Sequence, residues 1–124
     1  MAEIDAVIER RSRYAVEVLS RYAPVAAAYL FGSQVEGSAD EWSDIDLAAF
    51  LEGIESWDLA ARAHTAALVQ KEAGDDIELH FFSARALRQP EVASFAAYIL
   101  AHGVAIKPQR GVVAQTTVSR VDGG

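Results

Sequence analysis

The stretch YLFGSQVEGSADEWSDIDLAAF, Tyr29–Phe50, decides how the chain is read. An apolar run ends abruptly at Gly32-Ser33. After ten further residues a second apolar run opens on Asp44 and Asp46, one position apart. A strand that otherwise reads as buried therefore carries negative charge at its mouth. Alternate residues of a strand point to one face, so Asp44 and Asp46 project together, about 7 Å apart along the chain. Taken singly, Asp-x-Asp is common at a solvated strand edge and Gly-Ser after a strand is commonly a plain turn. The order in which they follow each other carries more than either.

Outward from this stretch, helices and strands alternate. Ile4, Val7, Ile8, Tyr14, Ala15, Val18, Leu19 and Tyr22 recur at helical spacing and predict an N-terminal helix within 2–22, ended by Pro24. VAAAYLF (25–31) reads as a first strand, although alanine is a weak strand former. DIDLAAFL (44–51) reads as a second strand, and Gly53 ends it. Residues 56–74 predict a helix with Ser56 as N-cap, a stripe of Trp57, Ala60, Ala61, His64 and Leu68, and Gly74 at its end. DIELHFF (76–82) reads as a third strand with Asp76, Glu78 and His80 on one face, and Ser83 caps a short turn through Leu87. PEVASFAAYILAHG (90–103) predicts a helix opening on Pro90, with Val92, Phe95, Ala96 and Ile99 buried. VAIK (104–107) is a final short strand. Residues 108–124 are polar with scattered valines and read as a tail, which leaves one domain over 1–107 with its core at 25–107.

Composition narrows the function classes. A chain of 124 residues suggests one domain with a hydrophobic core of its own. The formal charge is −7, from 18 acids against 11 bases, which disfavours stable binding to a phosphate backbone. There is no cysteine, so disulfides, thiolate metal sites and a cysteine nucleophile are excluded, as suits a reducing cytoplasm. No signal-peptide pattern opens the sequence, and no apolar run approaches the roughly 20 residues of a membrane span. A cytoplasmic location is the expectation.

If the charged residues share one site, geometry sets the strand directions. Gly32-Ser33 ends strand one whereas Asp44 and Asp46 begin strand two, so those strands must run antiparallel. Glu78 begins strand three after a helical crossover, so strand three must run parallel to strand two. The expected fold is α+β, a small mixed sheet with helices packed against it. Carboxylates converging there repel one another and raise each other's pKa unless cations join them. Two Mg²⁺ ions answer this chemistry, because Mg²⁺ takes hard oxygen ligands and is completed by substrate phosphates. Gly32 permits close backbone approach, and Ser33 with the residues up to Glu36 opens a short helix whose N–H groups can face an anion. His80 taken alone reads as structural, His64 as a core or partner-facing residue, and Asp40 and Glu41 as loop residues.

At this point the sequence resembles a family. Gly32-Ser33, ten residues, then Asp44-Ile45-Asp46 looks like the signature of the polymerase-β-type nucleotidyltransferases, and more narrowly of the minimal nucleotidyltransferases. The resemblance covers about residues 25–107. It implies the polymerase-β nucleotidyltransferase fold and transfer of a nucleoside monophosphate from a nucleoside triphosphate, ATP, to an acceptor hydroxyl, with Mg²⁺ and release of pyrophosphate. By position it implies that Gly32 and Ser33 bind the triphosphate, that Asp44 and Asp46 bind both metal ions, and that Glu78 is the third acid, a metal ligand or base. Asp76 is the fallback for Glu78, since the family commonly has Asp there. Glu36 stands where the family's loop commonly carries an arginine, and an acid there repels a triphosphate unless it turns away. The resemblance also implies a protein partner, a HEPN-type toxin nucleotidylated on tyrosine. Two other readings stand beside it: a family member that only binds and neutralises a partner, and, with less room in 124 residues, a small-molecule nucleotidyltransferase.

Overall fold

Asp5 opens the first helix of the computed structural model, which describes residues 4–107. Its carboxylate accepts from the N–H of Val7 at 2.8 Å and of Ile8 at 3.3 Å, and α1 runs Ala6–Ser20. The buried face is centred on Ala15, Val16, Val18 and Leu19, while Val7, Tyr14 and Tyr22 of the expected apolar face remain partly exposed. Ser12 is also fully buried, because its hydroxyl donates to the Ile8 carbonyl at 2.8 Å and needs no other partner. Residues 108–124, read from sequence as a tail, lie outside the described residues, as do residues 1–3.

Four strands follow: β1 Val25–Phe31, β2 Ile45–Leu51, β3 Ile77–Ser83 and β4 Val104–Ala105. They form one mixed sheet in the order β3-β2-β1-β4. β1 and β2 are antiparallel with Phe31 opposite Asp46, and β2 and β3 are parallel with Asp46 opposite Glu78. Both directions are those that a shared site requires. Alternation then divides the side chains. Ile45, Leu47, Ala49, Leu51 and Ile77 pack with Leu30 against α1 and α3 (Leu59–Ala73). Ala48, Phe50 and Phe31 pack on the other face with Ala96 and Ile99 of α5 (Phe95–His102). Two further short helices are α2, Ser33–Glu36, and α4, Arg85–Arg88.

Three boundaries and one helix face differ from the sequence reading. Ser56 belongs to a single 3₁₀ turn, Ile54–Ser56, and its hydroxyl bonds back to the Gly53 carbonyl at 2.9 Å. The cap of α3 is instead Asp58, whose carboxylate accepts from the Ala61 N–H at 2.8 Å. The stripe of α3 is rotated accordingly: Thr65 and Val69 are buried, whereas Ala60 and His64 are exposed. α5 starts not at Pro90 but after Ser94, which accepts from the Ala97 N–H at 3.0 Å. Ala93 has φ +63, outside the helical region, so Val92 precedes the helix and is 97% exposed. β4 ends at Ala105, and the Ile106 N–H makes one further bond to the Ala28 carbonyl at 2.8 Å.

Asp76 does not share the face of Glu78 and His80. It lies just before β3 and turns to α1, where Arg11 holds it with Nη1 to Oδ2 at 2.8 Å and Nη2 to Oδ1 at 2.5 Å. Arg11 Nη2 also donates to the Ala73 carbonyl at 3.1 Å, so one guanidinium ties α1 to the end of α3 and the start of β3. Asp76 is therefore withdrawn from the role of fallback ligand.

The bond to Arg11 holds the Asp76 carboxyl below its ordinary value of 3.8. A lowered folded-state value stabilises the fold fully above that ordinary value, and the contribution is lost as pH falls through the lowered one. The side chains are 32% and 41% exposed, so solvent screening limits the contribution. Asp76→Ala is expected to cost about 1 kcal/mol at neutral pH in urea unfolding. The difference from wild type should vanish in acid below the carboxylate range, and an equal difference at both pH values would refute the ion pair as its source.

Candidate active site

The end of β1 is shaped by one glycine. Gly32 has φ +82 and ψ −149, a conformation that side chains rarely adopt. A Cβ there would stand 2.7 Å from Asp46 Oδ2, so Gly32 is also what allows the backbone to approach that carboxylate. The chain then turns into α2. Its first helical bonds are those of the Val35 and Glu36 N–H groups to the Gly32 carbonyl, both at 3.0 Å, which leaves Ser33 and Gln34 at the head of the turn. Gln34 Nε2 reaches across to the Asp44 carbonyl at 3.3 Å and joins the two sides of the loop. Asp40 organises the loop between them, accepting from the Trp42 N–H at 2.9 Å.

Asp44 is exposed at the mouth of β2, whereas Asp46 is partly buried inside the strand. Glu78 is paired with Asp46 across the ladder, and His80 with Ala48. One ligand atom each from Asp46, Glu78 and His80 lies within 4.8 Å of the others. Asp44 is not in that group, though its charge helps raise the Glu78 pKa. The larger causes of that rise are loss of water around the carboxyl and then the neighbouring Asp46. Among the described residues the one basic side chain within 4.0 Å of either carboxylate is His80, with Nε2 3.4 Å from Asp46 Oδ1 and 4.0 Å from Glu78 Oε2.

His80 is the residue whose place sequence reasoning missed. The alternation that puts it on the face of Glu78 was visible, but the lean of its ring toward Asp46 was not. The ring is packed edge-on against Phe31 at 5.0 Å and Phe95 at 6.0 Å between centroids, and the small side chain of Ala48 opposite leaves it room. Glu36, the acid standing where an arginine was expected, is directed to α5: it accepts from the Tyr98 hydroxyl at 3.2 Å. That bond raises the Tyr98 pKa, and the Tyr98 ring stacks on His102 at 4.5 Å. A separate open concavity of 570 Å³ lies on the α1–α3 side of the sheet, lined by Tyr22, Trp57 and His64 among others, away from the acids.

Gly32 at the end of β1, Asp44 and Asp46 at the start of the antiparallel β2 and Glu78 on the parallel β3 thus lie at one end of the sheet. A family profile described as polymerase beta, nucleotidyltransferase matches residues 15–107, and the chain belongs to that family. Two solved structures share the fold. One is a candidate nucleotidyltransferase from Sulfolobus solfataricus, 16% identical, covering 72% of this chain and 82% of that one, with a TM-score of 0.50. The other is a toxin–antitoxin structure with AMP-PNP, 24% identical, covering 90% of this chain and 84% of that one, with a TM-score of 0.56. No curated protein sequence matches the chain at a significant level. No helix among the described residues is long and apolar enough to cross a membrane.

Gly32→Ala tests the closeness of the loop to the acids. The substitution combines a strained φ with a forced displacement of Asp46, and should destabilise the fold by about 1–3 kcal/mol in thermal or urea unfolding. The NMR signals of Asp46, Glu78 and His80 should shift together. A stable variant with unshifted signals from those residues would show that the loop does not press on the cluster.

Proposed function

We propose that this protein transfers a nucleoside monophosphate, AMP from ATP, to a hydroxyl on a partner protein, with divalent metal ions. The observation that carries the reading is the pairing of Asp46 with Glu78 across β2 and β3, with Gly32 pressed against Asp46 from the end of β1. In this reading Gly32 gives the backbone the turn that sets Ser33 at the head of α2, where its hydroxyl and N–H are offered to a phosphate. Transfer joins the acceptor oxygen to the α-phosphorus and breaks that atom's bond to the bridging oxygen of the departing pyrophosphate. The acceptor's proton goes to Glu78, whose carboxyl is held above its ordinary value by loss of water around it and by the neighbouring Asp46.

The donor set suits hard cations. Asp46 and Glu78 face each other with no Lys or Arg within 4.0 Å among the described residues and only the His80 imidazole beside them, and Asp44 stands at the edge of the group. Asp44, Asp46 and Glu78 would hold two divalent cations of the Mg²⁺ kind, which when bound supply charge neutralisation on the triphosphate and a lowered pKa at the acceptor hydroxyl. A protein acceptor is supported by the likeness to a toxin–antitoxin structure and by the net charge of −7, which favours a basic partner; a HEPN-type toxin is the partner in this reading.

Glu36 favours a second reading, in which the chain neutralises its partner by contact alone. It places an acid, not an arginine, in the loop after Gly32-Ser33, although its bond to Tyr98 turns that acid toward α5. One experiment separates the two: transfer of label from ATP carrying a radioactive α-phosphate to a co-expressed partner. Glu78→Gln should lower transfer by about a hundredfold or more, whereas Asp76→Asn, held by Arg11 away from the acids, should leave it nearly unchanged. If no label moves with wild type while the partner is still neutralised, contact is the function. Loss in Asp76→Asn with normal Glu78→Gln would assign the third acid to Asp76.

A further inference from the structure

The acid pair at the β2–β3 ladder is joined by an imidazole. His80 projects from the same face of β3 as Glu78, two residues on, and its Nε2 is 3.4 Å from Asp46 Oδ1. Phe31 and Phe95 pack edge-on against the ring, at interplanar angles of 68° and 87°, so its orientation is set by apolar contacts that do not depend on a charge on the imidazole. Two ligands about 2.0–2.1 Å from one ion at tetrahedral angles are about 3.3 Å apart, close to the separation of the His80 nitrogen from the Asp46 oxygen. The 4.0 Å between His80 Nε2 and Glu78 Oε2 needs only a small rotation of the longer glutamate side chain.

We infer that Asp46, Glu78 and His80 form a mixed oxygen–nitrogen site for a divalent transition-metal ion of the manganese or zinc kind, in place of an all-oxygen Mg²⁺ site at the Glu78 corner. The reason is ligand chemistry. Mg²⁺ takes oxygen donors and dehydrates reluctantly, whereas imidazole suits zinc best and Mn²⁺, larger and less tightly hydrated, accepts a nitrogen beside carboxylates more readily than Mg²⁺ does. An ion on the nucleotide's phosphates, held with Asp44, remains free to be Mg²⁺. The inference rests on the proposed role of Asp46 and Glu78 as metal ligands, and adds the third ligand and the identity of the ion. The rival is a protonated His80 acting as a fixed counter-ion, which would occupy the position of a cation and oppose metal binding.

Titration with Mn²⁺ alone, followed by loss of the free-ion EPR signal, separates these. His80→Ala and His80→Phe are both needed, since the second keeps a ring against Phe31 and Phe95 while deleting the nitrogen. Each is expected to weaken Mn²⁺ binding by about tenfold or more. Mg²⁺ affinity, measured by competition, should change by less than about twofold, since Mg²⁺ makes little use of a nitrogen donor. Nitrogen modulation of the bound Mn²⁺ signal should be present in wild type and absent in both variants. Unchanged or tighter Mn²⁺ binding in both variants overturns the role of His80. If Asp46→Asn still abolishes binding in that case, the proposed carboxylate site stands without it. No Mn²⁺ bound by wild type, or binding that survives Asp46→Asn, overturns both.

Discussion

Asp46 and Glu78 are held opposite each other by a parallel ladder whose stability comes from the other face of the same strands. Two unit charges within about 5 Å repel by about 3 kcal/mol at an effective dielectric constant of 20, before any discount for the exposure of Glu78. Against this stand Ile45, Leu47, Leu51 and Ile77, all fully buried against α1 and α3, each contributing about 1.5–3 kcal/mol relative to exposure. The apolar contribution exceeds the repulsion. A slip of one residue in the register would turn those four side chains to the wrong face, so the hydrophobic pattern on one side fixes the acids on the other.

The remaining charges near the site are directed elsewhere by single partners. Arg11 takes Asp76 toward α1, which leaves Glu78 as the acid of β3 that faces Asp46. Tyr98 takes Glu36 toward α5. Each partner comes from a helix remote in sequence from the acid it holds, and each removes a competing negative charge from the space beside Gly32 and Asp46. His80 is the opposite case, a polar group brought toward the acids by aromatic packing on its flanks.

The sheet and the acid pair were legible because they follow from alternation and from end-to-end logic. Gly32 ends one strand, Asp46 opens the next and Glu78 opens a third, and only one set of strand directions brings them together. What was not legible depended on which of two similar groups takes a hydrogen bond. Ser56 and Asp58 are both plausible caps, and the choice lies in Ser56 bonding backward to Gly53. Pro90 is a good first helical residue, but Ser94 caps the helix and Ala93 at positive φ interrupts the run between them. Asp76 has the parity of Glu78, and parity lost to a guanidinium more than sixty residues away in the chain. His80 carried a face but no partner until the register with Ala48 was known.

The order of the sheet also bears on how the chain assembles. β1 and β2 are joined by the connection that carries α2, and β3 follows after α3, whereas β4 returns from the far end of the described chain to pair with β1 at Leu30 and Val104. Loop-closure entropy makes that last pairing the most costly of the three to initiate. Gly32, Asp46, Glu78 and His80 all belong to the part that closes over shorter loops. The acids thus sit on the strands whose pairings span the shorter separations in the chain, and α5 with β4 is the cover brought over them from the far end of the described chain.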